Sequence, residues 1–104
     1  MELTEIYSKY QEIIAIFDKF PTLSEQLLHT HSEVDEVYDT IRRKDKYEYP
    51  ELQCAEEISD VILSIIACAI KNKIPKDDLN RIMSMTINKN RKWALDKVKE
   101  QSIQ

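Results

Sequence analysis

AEEISDVILSIIACAIK, residues Ala55 to Lys71, is the stretch that decides the fold of this chain. In the ten residues from Val61 to Ile70, only Ser64 interrupts the apolar run. This is well short of the ~20 apolar residues that a membrane-spanning helix needs, so we expect a helix in a protein core or at a subunit interface. Glu57 and Asp60 precede the run. A carboxylate beside a core must be paired or bind a cation, so these two require a partner.

The composition excludes several classes of function. At 104 residues the chain suits one helical domain, residues 1–104. It has no glycine, so the glycine-rich loops that hold phosphates cannot form. The 15 basic and 19 acidic residues leave no basic stripe, which argues against binding to duplex nucleic acid. The amino-terminal sequence lacks the pattern of a secretory signal, and we expect a cytoplasmic protein with no membrane partner.

Apolar residues recur every three or four positions, which predicts helices throughout the chain. We expect the first helix to begin near Leu3 and Pro21 to end it. The second should begin with Thr22 or Ser24 as its cap. Its expected inner stripe consists of apolar residues, namely Leu23, Leu27, Val34, Val37 or Tyr38, and Ile41.

The second half of the chain predicts two longer helices. One runs from about Pro50 to Asn72, and the other continues to near Lys99 with Asp77 and Asp78 at its start, where the helix dipole favours acids. Four helices joined by short loops predict an all-α fold, a four-helix up-and-down bundle.

Two pairs of carboxylates share a three-residue spacing, Glu33 with Glu36 on the second helix and Glu57 with Asp60 on the third. Residues three apart lie on one helix face, so each pair can present two carboxylates to one point. If the helices are neighbours, all four acids converge and favour Mg²⁺, with Mn²⁺ as the alternative. Chance is the other explanation, because 33% of the residues are charged and Glu33 and Glu36 lie beside the predicted apolar stripe.

This arrangement of acids resembles the signature of the MazG-like, all-α nucleoside triphosphate pyrophosphohydrolases, in which EExxE is followed after a gap by ExxD. The similarity covers about Leu23 to Trp93. It implies a helical fold, usually dimeric or tetrameric, that binds Mg²⁺ and cleaves a nucleotide between its α- and β-phosphates. Glu33, Glu36, Glu57 and Asp60 match the metal ligands of the family, and Glu33 and Glu36 are also expected to take part in catalysis.

One position departs from that pattern. The chain has Ser32 where many members of the family have the first Glu of EExxE, which orients the attacking water in some of them. A serine does not act as a base at neutral pH without help. His29, one turn before Glu33, and Glu56, beside Glu57, are the candidate replacements, and a surface or capping role is the alternative for each.

The fourth helix carries a positive segment, INKNRKWALDK, residues 87–97. It is similar to the cluster of Lys, Asn and Arg that contacts phosphates in the family. The resemblance implies that Lys89, Asn90 and Arg91 bind the substrate. A solvated helix end, with Asn90 at the edge of a core, is the alternative.

The sequence therefore predicts an Mg²⁺-dependent hydrolase that converts a nucleoside triphosphate to the monophosphate and pyrophosphate. Two alternatives remain: a phosphoribosyl-ATP pyrophosphohydrolase, and a non-catalytic helical oligomer that senses nucleotide or serves as an interaction module. The run Val61 to Ile70 is apolar around almost its whole circumference, so we expect a homodimer or homotetramer.

Overall fold

The computed structural model describes residues 2–103, and these residues form helices and no β-strand. In chain order the elements are α1 (Leu3–Ile16), α2 (Leu23–Arg42), a 3₁₀ helix (Lys44–Lys46), α3 (Pro50–Lys71) and α4 (Lys76–Ile103). The predicted all-α class is confirmed for this part of the chain. None of the described helices is long and apolar enough to cross a membrane.

The start of α2 agrees with the prediction, whereas the ends of α1 and α4 differ from it in detail. Thr22 is the cap of α2, and its Oγ1 accepts a hydrogen bond from the Glu25 backbone N–H at 3.1 Å. Helix α1 ends at Ile16, five residues before Pro21. Helix α4 continues to Ile103, beyond the predicted end near Lys99, because no glycine or proline interrupts its last turns.

The chain divides into two compact units, residues 1–74 and residues 75–104. In the first unit α3 is central and packs against both α1 and α2. Most of its buried residues lie in the second half of α3, namely Ser64, Ile66, Ala67 and Ala69. The second unit contains α4 as its only described helix.

Helix α2 turns a polar face inward, and the predicted apolar inner stripe was wrong for most of its members, although Leu23 and Val37 are partly buried. Gln26 and Thr40 are the buried residues of this helix. Four members of the predicted stripe are between 48% and 69% exposed, namely Leu27, Val34, Tyr38 and Ile41. Hydrophobic periodicity predicts which side of a helix is apolar, but it does not predict what covers that side.

The polar face of α2 meets α3 in a network of hydrogen bonds, which we call the polar seam and define as Gln26, Thr30, Ser64 and Cys68. Gln26 Nε2 donates to Ser64 Oγ at 3.0 Å. Thr30 Oγ1 lies 2.5 Å from Ser64 Oγ and 3.4 Å from Cys68 Sγ. It donates a hydrogen bond to the backbone carbonyl of Gln26 at 2.9 Å. These bonds satisfy buried polar groups and so replace apolar packing between the two helices.

Lys71, the last residue of α3, extends the seam to the loop between α1 and α2. Its Nζ donates to Asp18 Oδ1 at 2.7 Å, to Gln26 Oε1 at 2.9 Å and to the Phe20 carbonyl. The Lys71 side chain is only 8% exposed. A buried ammonium needs such partners, so this contact holds the loop against the end of α3.

The end of α3 has the hydrogen bonds of a Schellman motif without a glycine. Ile74 N–H donates to the Ala69 carbonyl and Lys73 N–H to the Ile70 carbonyl, both at 3.0 Å. Lys73 has a φ of 58°, in the left-handed region. The Ile74 carbonyl then accepts a hydrogen bond from the buried Tyr7 hydroxyl at 2.7 Å, which fixes α1 to this turn.

We expect Lys73→Gly to raise the free energy of unfolding by about 0.5–1 kcal/mol. Relief of the left-handed conformation is worth ~1–2 kcal/mol, which exceeds the ~0.5–1 kcal/mol of backbone entropy that glycine loses on folding. Asn72→Gly is the matched control, because Asn72 has a φ of −83° and gains no relief. It should be destabilising. Urea unfolding midpoints measure both, and a destabilised Lys73→Gly variant would contradict the argument.

Candidate metal centre

Three carboxylates from α2 and α3 meet at one point. One oxygen from each of Glu33, Glu36 and Glu57 lies within 4.8 Å of the others. Glu33 and Glu57 are partly buried, whereas Glu36 is exposed. The two helices run antiparallel, since Gln26 contacts Ser64 early in α2 while Glu33 meets Glu57 further along it. The spacing of three residues therefore brings both acids of α2 to one acid of α3.

The two partly buried carboxylates are held in the same way. Glu33 Oε1 lies 2.9 Å from His29 Nε2, and Glu57 Oε1 accepts a hydrogen bond from Gln53 Nε2 at 3.2 Å. Each partner stands four residues before its glutamate, on the same helix face. The second oxygen, Oε2, is buried in both glutamates and has no hydrogen-bond partner. A buried oxygen without a partner is costly, so both Oε2 atoms are suited to a cation.

The pKa of Glu33 also indicates that the negative charge of this carboxylate is not fully compensated by its neighbours. Burial raises the pKa of Glu33 above its usual 4.5, and the neighbouring Glu36 and Asp60 carboxylates raise it further. His29 lowers this pKa, but the pKa remains raised. Like charges and burial both disfavour the ionised form, which a bound cation would favour.

Asp60, the fourth predicted ligand, is not among these three residues. It is exposed, and it lines a cavity together with Glu33. Its charge is close enough to raise the pKa of Glu33 and of Tyr10. The structure therefore places Asp60 beside the carboxylate cluster, on the side of the cavity.

The cavity has a volume of about 550 Å³ and lies among α1, the loop after it, α2 and α3. This volume is in the range of small-molecule sites. Its apolar lining includes Ile13, Ile14, Phe17 and Leu63. Its polar lining includes Tyr10, Gln26, Ser64 and Glu33, so Glu33 belongs both to the cavity and to the carboxylate cluster.

Aromatic groups complete the cavity wall. Phe20 stacks on the His29 ring with centroids 4.2 Å apart and an interplanar angle of 18°. This stacking and the contact with Glu33 fix the imidazole from two directions. Burial raises the pKa of Tyr10, and the charges of Asp60 and Glu33 add to the effect, so its phenol stays protonated near neutral pH.

The position that departs from the family pattern, Ser32, is exposed, and its hydroxyl donates to the His29 carbonyl at 3.3 Å. Glu56, one of the two candidate replacements for a base, is exposed on α3. His29, the other candidate, is engaged with Glu33.

The predicted substrate-binding residues belong to the second unit of the chain. Lys89, Asn90 and Arg91 are exposed on α4, in the unit of residues 75–104, whereas the carboxylates belong to the unit of residues 1–74.

Sequence reasoning missed Gln53 and Gln26. Gln53 had a readable signal, because it precedes Glu57 by four residues as His29 precedes Glu33. Gln26 had none, since a glutamine on an amphipathic helix is normally solvated.

Comparisons with protein-family models, with curated proteins and with solved structures found no match to this chain.

We expect Glu33→Gln and Glu57→Gln each to weaken Mg²⁺ binding, measured by calorimetry, by tenfold or more. His29→Ala and Gln53→Ala should each weaken Mg²⁺ binding by about 10-fold. Losing a residue that hydrogen-bonds to a metal ligand and orients it typically lowers the metal affinity about 10–100-fold. Glu56→Gln is the matched control, because Glu56 is an exposed neighbour of Glu57. Equal affinities for all five variants and the wild type would rule out the cluster as a metal site.

We expect Glu33→Gln to stabilise the metal-free protein above the raised pKa of Glu33. A carboxyl whose pKa is raised by folding contributes stability below its unfolded value, and this contribution is lost as pH rises through the folded value. The difference between variant and wild type should therefore vanish below about pH 4.5, the unperturbed value. Thermal unfolding in EDTA across this range measures it. A wild type that is more stable than the variant at neutral pH would contradict the electrostatic argument.

Proposed function

We propose that this chain is an Mg²⁺-dependent nucleotide pyrophosphohydrolase that cleaves a nucleoside triphosphate to the monophosphate and pyrophosphate. One observation carries the proposal: Glu33, Glu36 and Glu57 bring one carboxylate oxygen each within 4.8 Å of one another, beside a cavity of about 550 Å³ that Glu33 also lines. The Oε2 atoms of Glu33 and Glu57 are buried and have no hydrogen-bond partner. A divalent cation at that point and a nucleoside in the cavity would share Glu33 as a boundary. The resemblance of the acidic pairs to the MazG-like hydrolases agrees with this assignment.

The donors suit the metal. Glu33, Glu36 and Glu57 would hold Mg²⁺, with Mn²⁺ as the alternative, and Asp60 would join them from the cavity side. All the donors are carboxylate oxygens, which hard cations prefer over zinc or copper. Bound Mg²⁺ supplies positive charge that neutralises phosphate oxygens and makes water a better nucleophile.

The chain's own residues orient the site. Glu33 Oε1 lies against His29 Nε2, and Glu57 Oε1 accepts a hydrogen bond from Gln53 Nε2, so the Oε2 atom of each glutamate is left without a protein partner and is available to a cation. Fixed ligands reduce the reorganisation needed during the reaction. Glu33 and Glu36 then act in catalysis by positioning the attacking water.

Lys89, Asn90 and Arg91 are proposed to contact the phosphates. All three are exposed on α4, so their donor groups are accessible to a ligand. A triphosphate carries several negative charges and would be repelled by carboxylates alone. Cationic donors from this helix would offset that repulsion.

Assembly into a homodimer or homotetramer forms part of the proposal, as does the up-and-down bundle. Eight large apolar side chains of α2 and α3 are between 42% and 70% exposed: Leu27, Val34, Tyr38, Ile41, Leu52, Ile58, Ile62 and Ile65. Exposed apolar residues in such number are typical of subunit interfaces. Because the polar seam occupies the contact between these helices, their apolar sides remain available to a second copy.

A nucleotide sensor without turnover is the second candidate. It is favoured by Ser32, because this position has no carboxylate that could orient the attacking water. The Ser32 hydroxyl is instead hydrogen-bonded to the backbone carbonyl of His29. Such a protein would bind Mg²⁺ and nucleotide and release no pyrophosphate.

We expect pyrophosphate release from a panel of deoxynucleoside and ribonucleoside triphosphates to require Mg²⁺. Glu33→Gln and Glu57→Gln should each lower kcat by at least about 100-fold. Each removes a ligand of the cation whose positive charge would stabilise the transition state. Glu51→Gln, at an exposed position of α3 with no proposed role, should retain the wild-type rate. Lys89→Ala and Arg91→Ala should raise KM. Binding without release would favour the sensor, and failure to bind both metal and nucleotide would end both proposals.

We expect sedimentation velocity at micromolar concentration to show a dimer or tetramer that Ile62→Glu dissociates. A charge on an apolar interface is costly to bury, so the assembly loses stability while the fold of the subunit is kept. Ile16→Glu is the control, because Ile16 lies at the end of α1 and outside the apolar sides of α2 and α3. A monomeric wild type would exclude the assembly.

A further inference from the structure

The amide of Gln26 has a fixed direction. Lys71 has only donor hydrogens, and its Nζ lies 2.9 Å from Gln26 Oε1, so this atom must be the oxygen of the amide. The nitrogen, Nε2, is thereby directed to Ser64 Oγ, 3.0 Å away. The Lys71 ammonium is in turn held by Asp18 at 2.7 Å. An amide flip would place Nε2 against the ammonium and is therefore excluded.

The seam also fixes which way Ser64 donates. The Thr30 hydroxyl donates its single hydrogen to the backbone carbonyl of Gln26 at 2.9 Å. The contact of 2.5 Å between Thr30 Oγ1 and Ser64 Oγ must therefore use the hydrogen of Ser64. Ser64 Oγ accepts from Gln26 Nε2 on one lone pair. A second lone pair of Ser64 and a second hydrogen of the Gln26 amide are left over.

Gln26 and Ser64 are two of the polar residues that line the cavity. Gln26 is 4% exposed and Ser64 is 3% exposed, and both line the cavity. Their donor and acceptor atoms, 3.0 Å apart, lie side by side. Buried polar atoms away from water gain most from a ligand that matches them, and they penalise one that does not.

We propose that Gln26 and Ser64 select a heterocyclic base with a lactam edge, a ring carbonyl beside a ring N–H, over the matched base with an amino group beside a bare ring nitrogen. The carbonyl accepts from Gln26 Nε2 and the ring N–H donates to Ser64 Oγ. Uracil, thymine and guanine have this edge, whereas cytosine and adenine reverse both positions. The inference rests on the proposed function, because Glu33 joins this cavity to the metal site and so orients a nucleotide in it.

The surroundings agree with an uncharged planar ring. Phe17, Ile13 and Leu63 supply apolar walls to the same cavity. The carboxylates of Asp60 and Glu33 also line it and oppose entry of phosphate away from the metal. The other charged residues of the lining are Lys19 and Asp18, and Asp18 is paired with Lys71. The base is therefore the part of a nucleotide that fits against Gln26.

Calorimetry with deoxynucleosides tests the proposal without the metal. Deoxyuridine should bind at least about tenfold more tightly than deoxycytidine, and deoxyguanosine more tightly than deoxyadenosine by a similar factor. Gln26→Glu is the decisive variant, because a carboxylate keeps the contact with Lys71 and replaces the Nε2 donor with an acceptor. This variant should lose or reverse the preference. Ser64→Ala should reduce the preference and keep its sign.

Two results would overturn the inference: equal binding within each pair of deoxynucleosides, or an undiminished preference in Gln26→Glu. Circular dichroism confirms that the variants are folded. The same pairs as triphosphates, assayed for Mg²⁺-dependent pyrophosphate release, separate this inference from the proposed function. Turnover with no preference refutes the lactam selection alone, whereas a preference with no turnover and no Mg²⁺ binding refutes the hydrolase alone.

Discussion

The polar contact between α2 and α3 is the interaction on which the rest of the structure depends. Gln26, Thr30 and Ser64 are hydrogen-bonded to one another, so the two helices pack through polar side chains where an apolar interface is usual. The same helix faces continue to Glu33 on α2, seven residues after Gln26, and to Glu57 on α3, seven residues before Ser64. The seam and the carboxylate cluster are thus two parts of one antiparallel contact, and a change in its register would move both.

The cluster makes this contact electrostatically incomplete. Buried oxygens of Glu33 and Glu57 have no partner, and burial and neighbouring acids raise the pKa of Glu33. A cation would remove this penalty, so metal binding and stability would be coupled. His29 and Gln53 each hold one oxygen of a glutamate, and the other oxygen is buried without a partner. The same contact leaves the apolar sides of both helices exposed, which connects the proposed site to the proposed assembly.

Part of this could be read from the residues. Capping by Thr22, the long apolar α3 and the acids at the start of α4 follow from local rules, because each depends on neighbours along the chain. The three-residue spacing of Glu33 and Glu36 also predicted that both carboxylates lie on one face of α2 and can reach the same point. The apolar stripe of α2 was predicted to face inward, and most of it does not, for a physical reason: Leu27 and Val34 do form an apolar side, but Gln26 and Thr30 have hydrogen-bond partners on α3.

The sequence by itself determined the helices, their approximate ends, the absence of glycine loops and the acids available for a metal. Only the tertiary structure decided which side of α2 faces α3, which oxygens of Glu33 and Glu57 remain unpartnered, and that Lys71 orients the amide of Gln26 beside a cavity. Local structure depends on residues within a few positions, and these can be read in one dimension. Hydrogen-bond partners separated by 38 or 45 residues, as in the pairs of Gln26 with Ser64 and with Lys71, exist only once the chain has folded.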